Sequence, residues 1–252
     1  MSEWLATPQG QYLLRWEQAR LDALVSDIFG YNAVQVGLPA CPFLRGSRMS
    51  YRFVSAVASD VTPGGAAVRA HPFALPFASA SIDLVILPHV LEYSRHPHQV
   101  LREVERVLVP EGSVIIVGLN PFSLFGLRRL FARGGGVYPW RGHYFSVPRI
   151  RDWLALLGFD VQTDAFGAYA PPMSSPAWIE RWAFFDRLGA RWWPVCGAVY
   201  SMHGIKRVQG MRLLTPKWRD NHASKNALSP VARRDRGVAG HSNRIDGVDG
   251  NR

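Results

Sequence analysis

Hydrophobic positions along this chain follow two periods, and the period tells strands from helices. Between residues 10 and 29, Leu13, Leu14, Leu21, Leu24, Val25 and Ile28 recur at helical spacing. Arg15, Glu17, Arg20 and Asp22 interrupt them, so the stretch predicts an amphipathic helix that stops at Gly30. Residues 33–38 (AVQVGL) read as a first strand, 51–57 as a second and 66–70 as a short third. The link between the first two is abbreviated, since residues 43–49 have room for a turn or two of helix at most. From 68 to 118 the pattern is clearest. Residues 82–87 form a nearly continuous apolar run, as in a parallel strand buried on both faces. Val90, Leu91, Val100, Leu101, Val104, Val107 and Leu108 then recur at helical steps, with Pro97 suited to a first turn and Ser94 or His96 ahead of it as cap. Glu103 and Glu105 are expected to face solvent beside Arg102 and Arg106. Pro110 and Gly112 break the helix, and 114–117 is a second apolar run. Strand, helix, turn and strand make a βαβ unit.

Beyond it, Asn120-Pro121 starts a turn, and 122–131 reads as a short helix with Arg128 and Arg129 opposite an apolar face. Gly134–Gly136 would end that helix. Ser146 can cap a helix over 148–157 that carries Ile150, Trp153, Leu154 and Leu157. A strand begins near Gly158, and 195–207 supplies the last one. Between 167 and 194, Tyr169, Trp178, Trp182, Phe184, Phe185, Trp192 and Trp193 crowd a proline-broken segment. The favoured reading is a helical cap that uses these rings as core. The alternative is an interaction or membrane surface, where Trp and Arg are common. Past Asp220 the text is polar and cannot bury enough surface to offset the ordering of its backbone, so disorder is expected. The expected division is a domain over 1–219 and a basic tail over 220–252.

The segment LPFASASIDLVILPHVLEYSRHPHQVLREVERVLVPEGSVIIVG resembles the centre of a class I S-adenosylmethionine (SAM)-dependent methyltransferase of the type 11 kind. The matching residues are Leu75-Pro76-Phe77, Ile82-Asp83, Arg106-Val107-Leu108, Pro110 and Gly112. The resemblance implies an α/β fold, a Rossmann-like three-layer α/β/α sandwich. Its sheet would be seven-stranded and mostly parallel with an antiparallel last strand, its first half abbreviated here. It implies SAM as cofactor and a small acceptor as substrate. It places the cofactor at Gly37 and Leu38 after the first strand, at Asp60 after the second, at His71 and Phe73 after the third, and at Pro88 and His89 after the fourth. The acceptor would enter by the aromatic loop that holds Tyr138, His143 and Tyr144, and the leading helix would bring Tyr12 and Trp16 near the pocket as lid residues or as plain packing.

One departure stands out. Where the family has an acid and a glycine-rich turn, this chain has Gln35 and Leu38-Pro39-Ala40-Cys41-Pro42, and only Gly37 survives. Two prolines fix φ and remove two donors. The degenerate loop motivates an alternative, a methyltransferase fold that serves as a binding or regulatory module. Asp60 can hold a ribose or lie on a surface loop, and His71 can face the ligand or fill a loop. His89 is the candidate catalytic base, or else it caps the next helix. His96 and His98 without acidic or thiol company do not make a metal site.

Composition adds limits. The 252 residues are 48% hydrophobic, enough for a sizeable core. The N-terminus lacks a signal-peptide pattern and no apolar run reaches membrane-spanning length. Two distant cysteines fit free thiols in a reducing cytoplasm. The net charge of +10 lies mainly in residues 206–252, which contribute +7. That segment could give nonspecific contact with nucleic acid or anionic lipid.

Overall fold

A computed structural model describes residues 2–57, 68–131, 139–172, 175, 178, 181–182 and 184–208. The expected turn at Pro63–Gly65, the glycines at 134–136, Asp60, Tyr138 and the segment 220–252 lie outside them.

Seven strands form one sheet: β1 (Asn32–Val36), β2 (Tyr51–Ala56), β3 (Val68–Arg69), β4 (Ile82–Pro88), β5 (Leu108–Leu119), β6 (Phe159–Gly167) and β7 (Val199–Lys206). Their order is β3-β2-β1-β4-β5-β7-β6, parallel throughout except for β7, which runs antiparallel to β5 and β6. The helices are α1 (Ser2–Leu5), α2 (Pro8–Ser26), α3 (Val90–Tyr93), α4 (Pro97–Val107), α5 (Leu124–Phe131), α6 (Val147–Leu156) and α7 (Phe184–Trp192). A 3₁₀ turn, Pro194–Cys196, precedes β7.

Alternation along the central strands creates three layers. Val85 and Leu87 of β4, with Val114 and Ile116 of β5, meet Val100, Leu101 and Val104 of α4 and Ile150 and Leu154 of α6. Leu84 and Ile86, with Ile115 and Val117, point the other way onto Leu13, Leu21 and Val25 of α2. Both faces are covered, which is why β4 reads as an unbroken apolar run. This is the three-layer fold that the sequence resemblance implied.

Four motif residues, Leu75, Phe77, Asp83 and Arg106, now have physical roles. Asp83 Oδ2 accepts from the amides of Tyr31 (3.0 Å) and Asn32 (2.9 Å), so the start of β4 caps the start of β1. The Leu75–Phe77 corner is gripped by α4. Glu103 Oε1 accepts from the Leu75 amide at 2.8 Å, while Arg106 Nη2 donates to the carbonyls of Leu75 (3.2 Å) and Phe77 (2.9 Å) and to Glu103 at 2.7 Å. The Arg106 hydrogen bond holds the Glu103 carboxyl below the usual carboxylate range.

Several expectations need correction. Glu103 is a clamp, not a solvent-facing charge, because the corner before β4 leaves a backbone amide and two carbonyls to satisfy. Glu17 does not interrupt the face of α2. Leu13, Glu17, Leu21 and Val25, at four-residue steps, are all fully buried. Tyr12 and Trp16 are packing residues. The Tyr12 hydroxyl donates to Asp186 and accepts from the Ala170 amide at 3.1 Å, and Trp16 lies where a side chain at Gly167 would be. The cap reading of the aromatic segment fails for four of its rings, since Trp178, Phe184, Trp192 and Trp193 are exposed, whereas Tyr169 and Trp182 are half-buried.

The clamp generates a prediction. Arg106→Leu removes the bonds to both carbonyls and to Glu103 from a part-exposed site. Urea denaturation should show a loss of about 1–2 kcal/mol; an unchanged midpoint would mean the corner is held by packing alone.

Candidate functional site

The carboxyl ends of the parallel strands open onto a cavity of about 870 Å³. Ligands in open α/β sheets bind at this edge. The cavity's sides are the turn after β1 (Gly37 to Cys41), the end of β2 (Ser55 to Val57), the segment after β3 (Ala70 to Phe73) and the end of β4 (Pro88 to Val90). Leu5 and Ala6 of the N-terminal turn, with Gln11 and Leu14 of α2, line another side. Six of the seven residues singled out for the cofactor therefore meet: Gly37, Leu38, His71, Phe73, Pro88 and His89. The rings of His71 and Phe73 stack on each other at 5.2 Å and 14°. Among the acceptor candidates, His143 and Tyr144 do not line the cavity. His143 is exposed, with its amide donating to the Glu92 carbonyl at 2.8 Å. Tyr144 is buried under Arg129, whose guanidinium lies 5.0 Å from its ring.

The turn after β1 is built around Gln35. Its side chain is fully buried, and the two N–H groups of its amide are shared among three carbonyls, those of Gly37 (3.0 Å), Leu38 (2.9 Å) and Cys41 (2.9 Å). Its carbonyl oxygen accepts from the Phe43 amide at 3.1 Å. One side chain thus satisfies both ends of the turn. Gly37 has φ +83°, a conformation that favours glycine, and a Cβ there would press on Val90 Cγ2 at 3.3 Å. Leu38 follows at φ +47°. The Gly37 amide donates to the Ser55 carbonyl at 2.6 Å, tying the turn to the end of β2. Proline stiffness and the glutamine network hold this turn in place of the glycines expected there. The turn is rebuilt rather than decayed.

At the end of β4, His89 adopts φ +56° and is buried. Its Nε2 lies 2.8 Å from Glu17 Oε1 on α2, and its Nδ1 lies 3.3 Å from the Glu92 carboxylate on α3. Glu92 Oε1 in turn accepts from the Leu119 amide at the end of β5. Burial opposes a charged imidazole, but the two flanking carboxylates outweigh it and push its pKa up to about 10. Both ring nitrogens are engaged, so His89 is a fixed cation at neutral pH. Sequence reasoning missed Glu17 as its partner, although the four-residue step from Leu13 to Leu21 passes through it. It also missed Ser55, a cavity residue whose buried Oγ has no hydrogen-bond partner among the described residues. Cys41 lines the cavity as a thiol pushed up to about 11 by burial and the nearby Glu17.

The family model of the methyltransferase domain matches residues 45–116. The matched segment starts after the Gln35 turn and ends within β5. Similar solved structures include a SAM-dependent methyltransferase of Thermotoga maritima, with TM-score 0.59 at 16% identity over 82% of this chain and 94% of that one. A SAM-dependent methyltransferase of Archaeoglobus fulgidus gives 0.55 at 16% identity over 77% and 94%. Residues 45–116 thus match the methyltransferase domain, and the fold is the one these SAM-dependent methyltransferases share. In sequence, the methyltransferase-like chain is 33% identical over 160 residues to the uncharacterized protein YafS of Escherichia coli K12, which covers 63% of this chain. It spans 65% of the length of that relative.

Two measurements check the site. In Gln35→Glu a carboxylate would face three carbonyl oxygens, which should cost roughly 2–4 kcal/mol at pH 7. Burial raises the introduced acid's pKa, so the deficit should grow as pH rises from about 4 to 7. A variant as stable as the parent would remove the Gln35 network from the account. For His89, the folded pKa near 10 lies above the unfolded value near 6.5. Its contribution is therefore complete below about pH 6.5 and lost as pH rises through 10. The stability difference between the parent and His89→Gln should shrink over that window, and a constant difference would contradict a charged His89.

Proposed function

We propose that the cavity binds SAM and that the chain transfers its methyl group to a small, partly apolar acceptor seated beside it. The observation that carries this reading is a single cavity running across the ends of β1, β2, the segment after β3, and β4. Its volume lies in the range of roughly 300–1,000 Å³ that suits small-molecule sites.

The residues present suit the group. The Gly37–Leu38 turn would approach the methionyl portion, with the open backbone that glycine allows. Ser55 offers a buried hydroxyl that lacks a partner among the described residues, in place for the ribose end, where Asp60 is the other candidate. The His71–Phe73 pair supplies a flat aromatic surface for adenine. When bound, SAM supplies an electrophilic methyl on a sulfonium. The chain's part is alignment and exclusion of water, which alone account for much of the barrier in such transfers. Leu5, Ala6 and Leu14 shield the cavity from one side. Pro88 and His89 form the wall at the end of β4. With both its nitrogens held by carboxylates, His89 has no free lone pair for the acceptor's proton. It acts instead as a positioning residue that fixes the turn into α3. We also place the chain in the cytoplasm, a reading supported by free thiols at Cys41 and Cys196.

Calorimetric titration with SAM tests the proposal. We expect one site per chain, weakened about tenfold in Phe73→Ala through loss of ring stacking and apolar contact. Phe73 is 46% exposed, so the substitution should leave the fold intact. Absence of both heat and a thermal shift at millimolar SAM would refute the reading.

A further inference from the structure

The described surface carries a large apolar face that the cavity does not use. Helix α5 reads LFGLRRLF, and of its residues only Phe125 and Gly126 are buried. Leu130 and Phe131 are 75% and 76% exposed, and Phe122 just before the helix is 70% exposed. A helix that packs on its own domain turns its apolar side inward; this one turns most of it out. Beside it, Trp192 and Trp193 at the end of α7 are 67% and 60% exposed. A groove of about 460 Å³ separates the two elements, with Phe122, Leu127, Leu130, Tyr169 and Trp193 in its walls.

Among the described residues of α5 and α7, the charges not committed to an internal partner of opposite sign are all positive. Arg128 and Arg129 project from α5 and Arg191 from α7. Helix α5 has no acid. The acid of α7, Asp186, is committed to the Tyr12 hydroxyl and the Tyr169 amide. Arg128 and Arg129 are held over the rings of Trp140 and Tyr144, at 4.9 and 5.0 Å. Exposed Leu, Phe and Trp next to arginines, without an uncommitted carboxylate among the described residues of α5 and α7, is the chemistry of an interfacial membrane contact. The apolar groups enter the acyl boundary while the guanidinium groups meet lipid phosphates.

Topology adds position. Leu119 of β5, Gly167 of β6 and Val199 of β7 lie at one level of the sheet, and α5, Tyr169 and the 3₁₀ turn follow from that edge. It is the edge onto which the cavity opens. A second copy of the chain suits the face poorly. In a two-fold interface the same patch meets itself, so Arg128, Arg129 and Arg191 would approach their counterparts.

We propose that this face docks the protein on an anionic lipid surface, with α5 and the Trp192–Trp193 corner inserted at the headgroup boundary. The inference does not depend on SAM binding, so the two can fail separately.

Co-sedimentation of the full chain with phosphatidylglycerol-containing vesicles, against pure phosphatidylcholine vesicles, provides the test. The second protein is Leu130→Gln/Phe131→Gln, whose exposed positions leave the fold unaffected; a matching thermal melt confirms that. We expect preferential partition onto the anionic vesicles, a blue shift of tryptophan emission on binding, and a loss of at least about tenfold in the double variant, since each inserted side chain contributes apolar burial. Failure to bind anionic vesicles would overturn the proposal. So would equal partition of the two proteins, which would assign the contact to charge elsewhere, such as the basic segment 206–252. A dimer in sedimentation analysis that the double variant dissolves would give the face to a second copy and overturn it as well.

Discussion

The buried imidazole of His89 is the point at which the parts that frame the cavity meet. Glu17 reaches it from α2, Glu92 from α3, and Glu92 also takes the amide at the end of β5. The His89 amide closes the circuit by donating to the Val117 carbonyl at 2.8 Å. Taking an imidazole and two carboxylates out of water is costly, and the cost is met only because each finds a partner at short range. Remove His89 and two buried carboxylates lose the cation they share. The cavity wall at Pro88–Val90 and the covering helix α2 are thereby held to one geometry.

Gln35 plays the matching part on the other side of the cavity. An acid in its place could accept hydrogen bonds but could not donate to the three carbonyls it faces. The carboxamide therefore belongs with the proline-bearing turn as a unit. That is also why a simple reversion toward the glycine-rich pattern is a poor probe of activity. Restoring an acid alone would set oxygens against oxygens, and any loss of ligand binding would then report a broken turn.

Much of this was legible in the sequence. The βαβ centre stands out because strands buried on both faces must be apolar at every position, as at Ile82 and Leu84 to Leu87, whereas α4 shows its buried face at three- and four-residue steps. The carboxyl ends of those strands then locate Gly37, Leu38, His71, Phe73, Pro88 and His89 together. What stayed hidden depends on long-range or backbone partners. Glu17 looks like any polar interruption until His89 is brought 72 positions back to meet it. Gln35 bonds only main-chain atoms, which carry no sequence signature. The exposed aromatics of 178–193 looked like core because composition does not report which way a ring points.

On the proposed reading, the glutamine-centred turn forms one side of a cavity that takes SAM. A crystal structure grown with S-adenosylhomocysteine tests it most directly. The adenine should lie against Phe73, the ribose within hydrogen-bond reach of Ser55, and the amino-acid end on the Gly37–Leu38 turn, with the Gln35 amide still bonded to its three carbonyls. Ligand bound at another place, or a turn that must break the Gln35 bonds to admit it, would contradict the account.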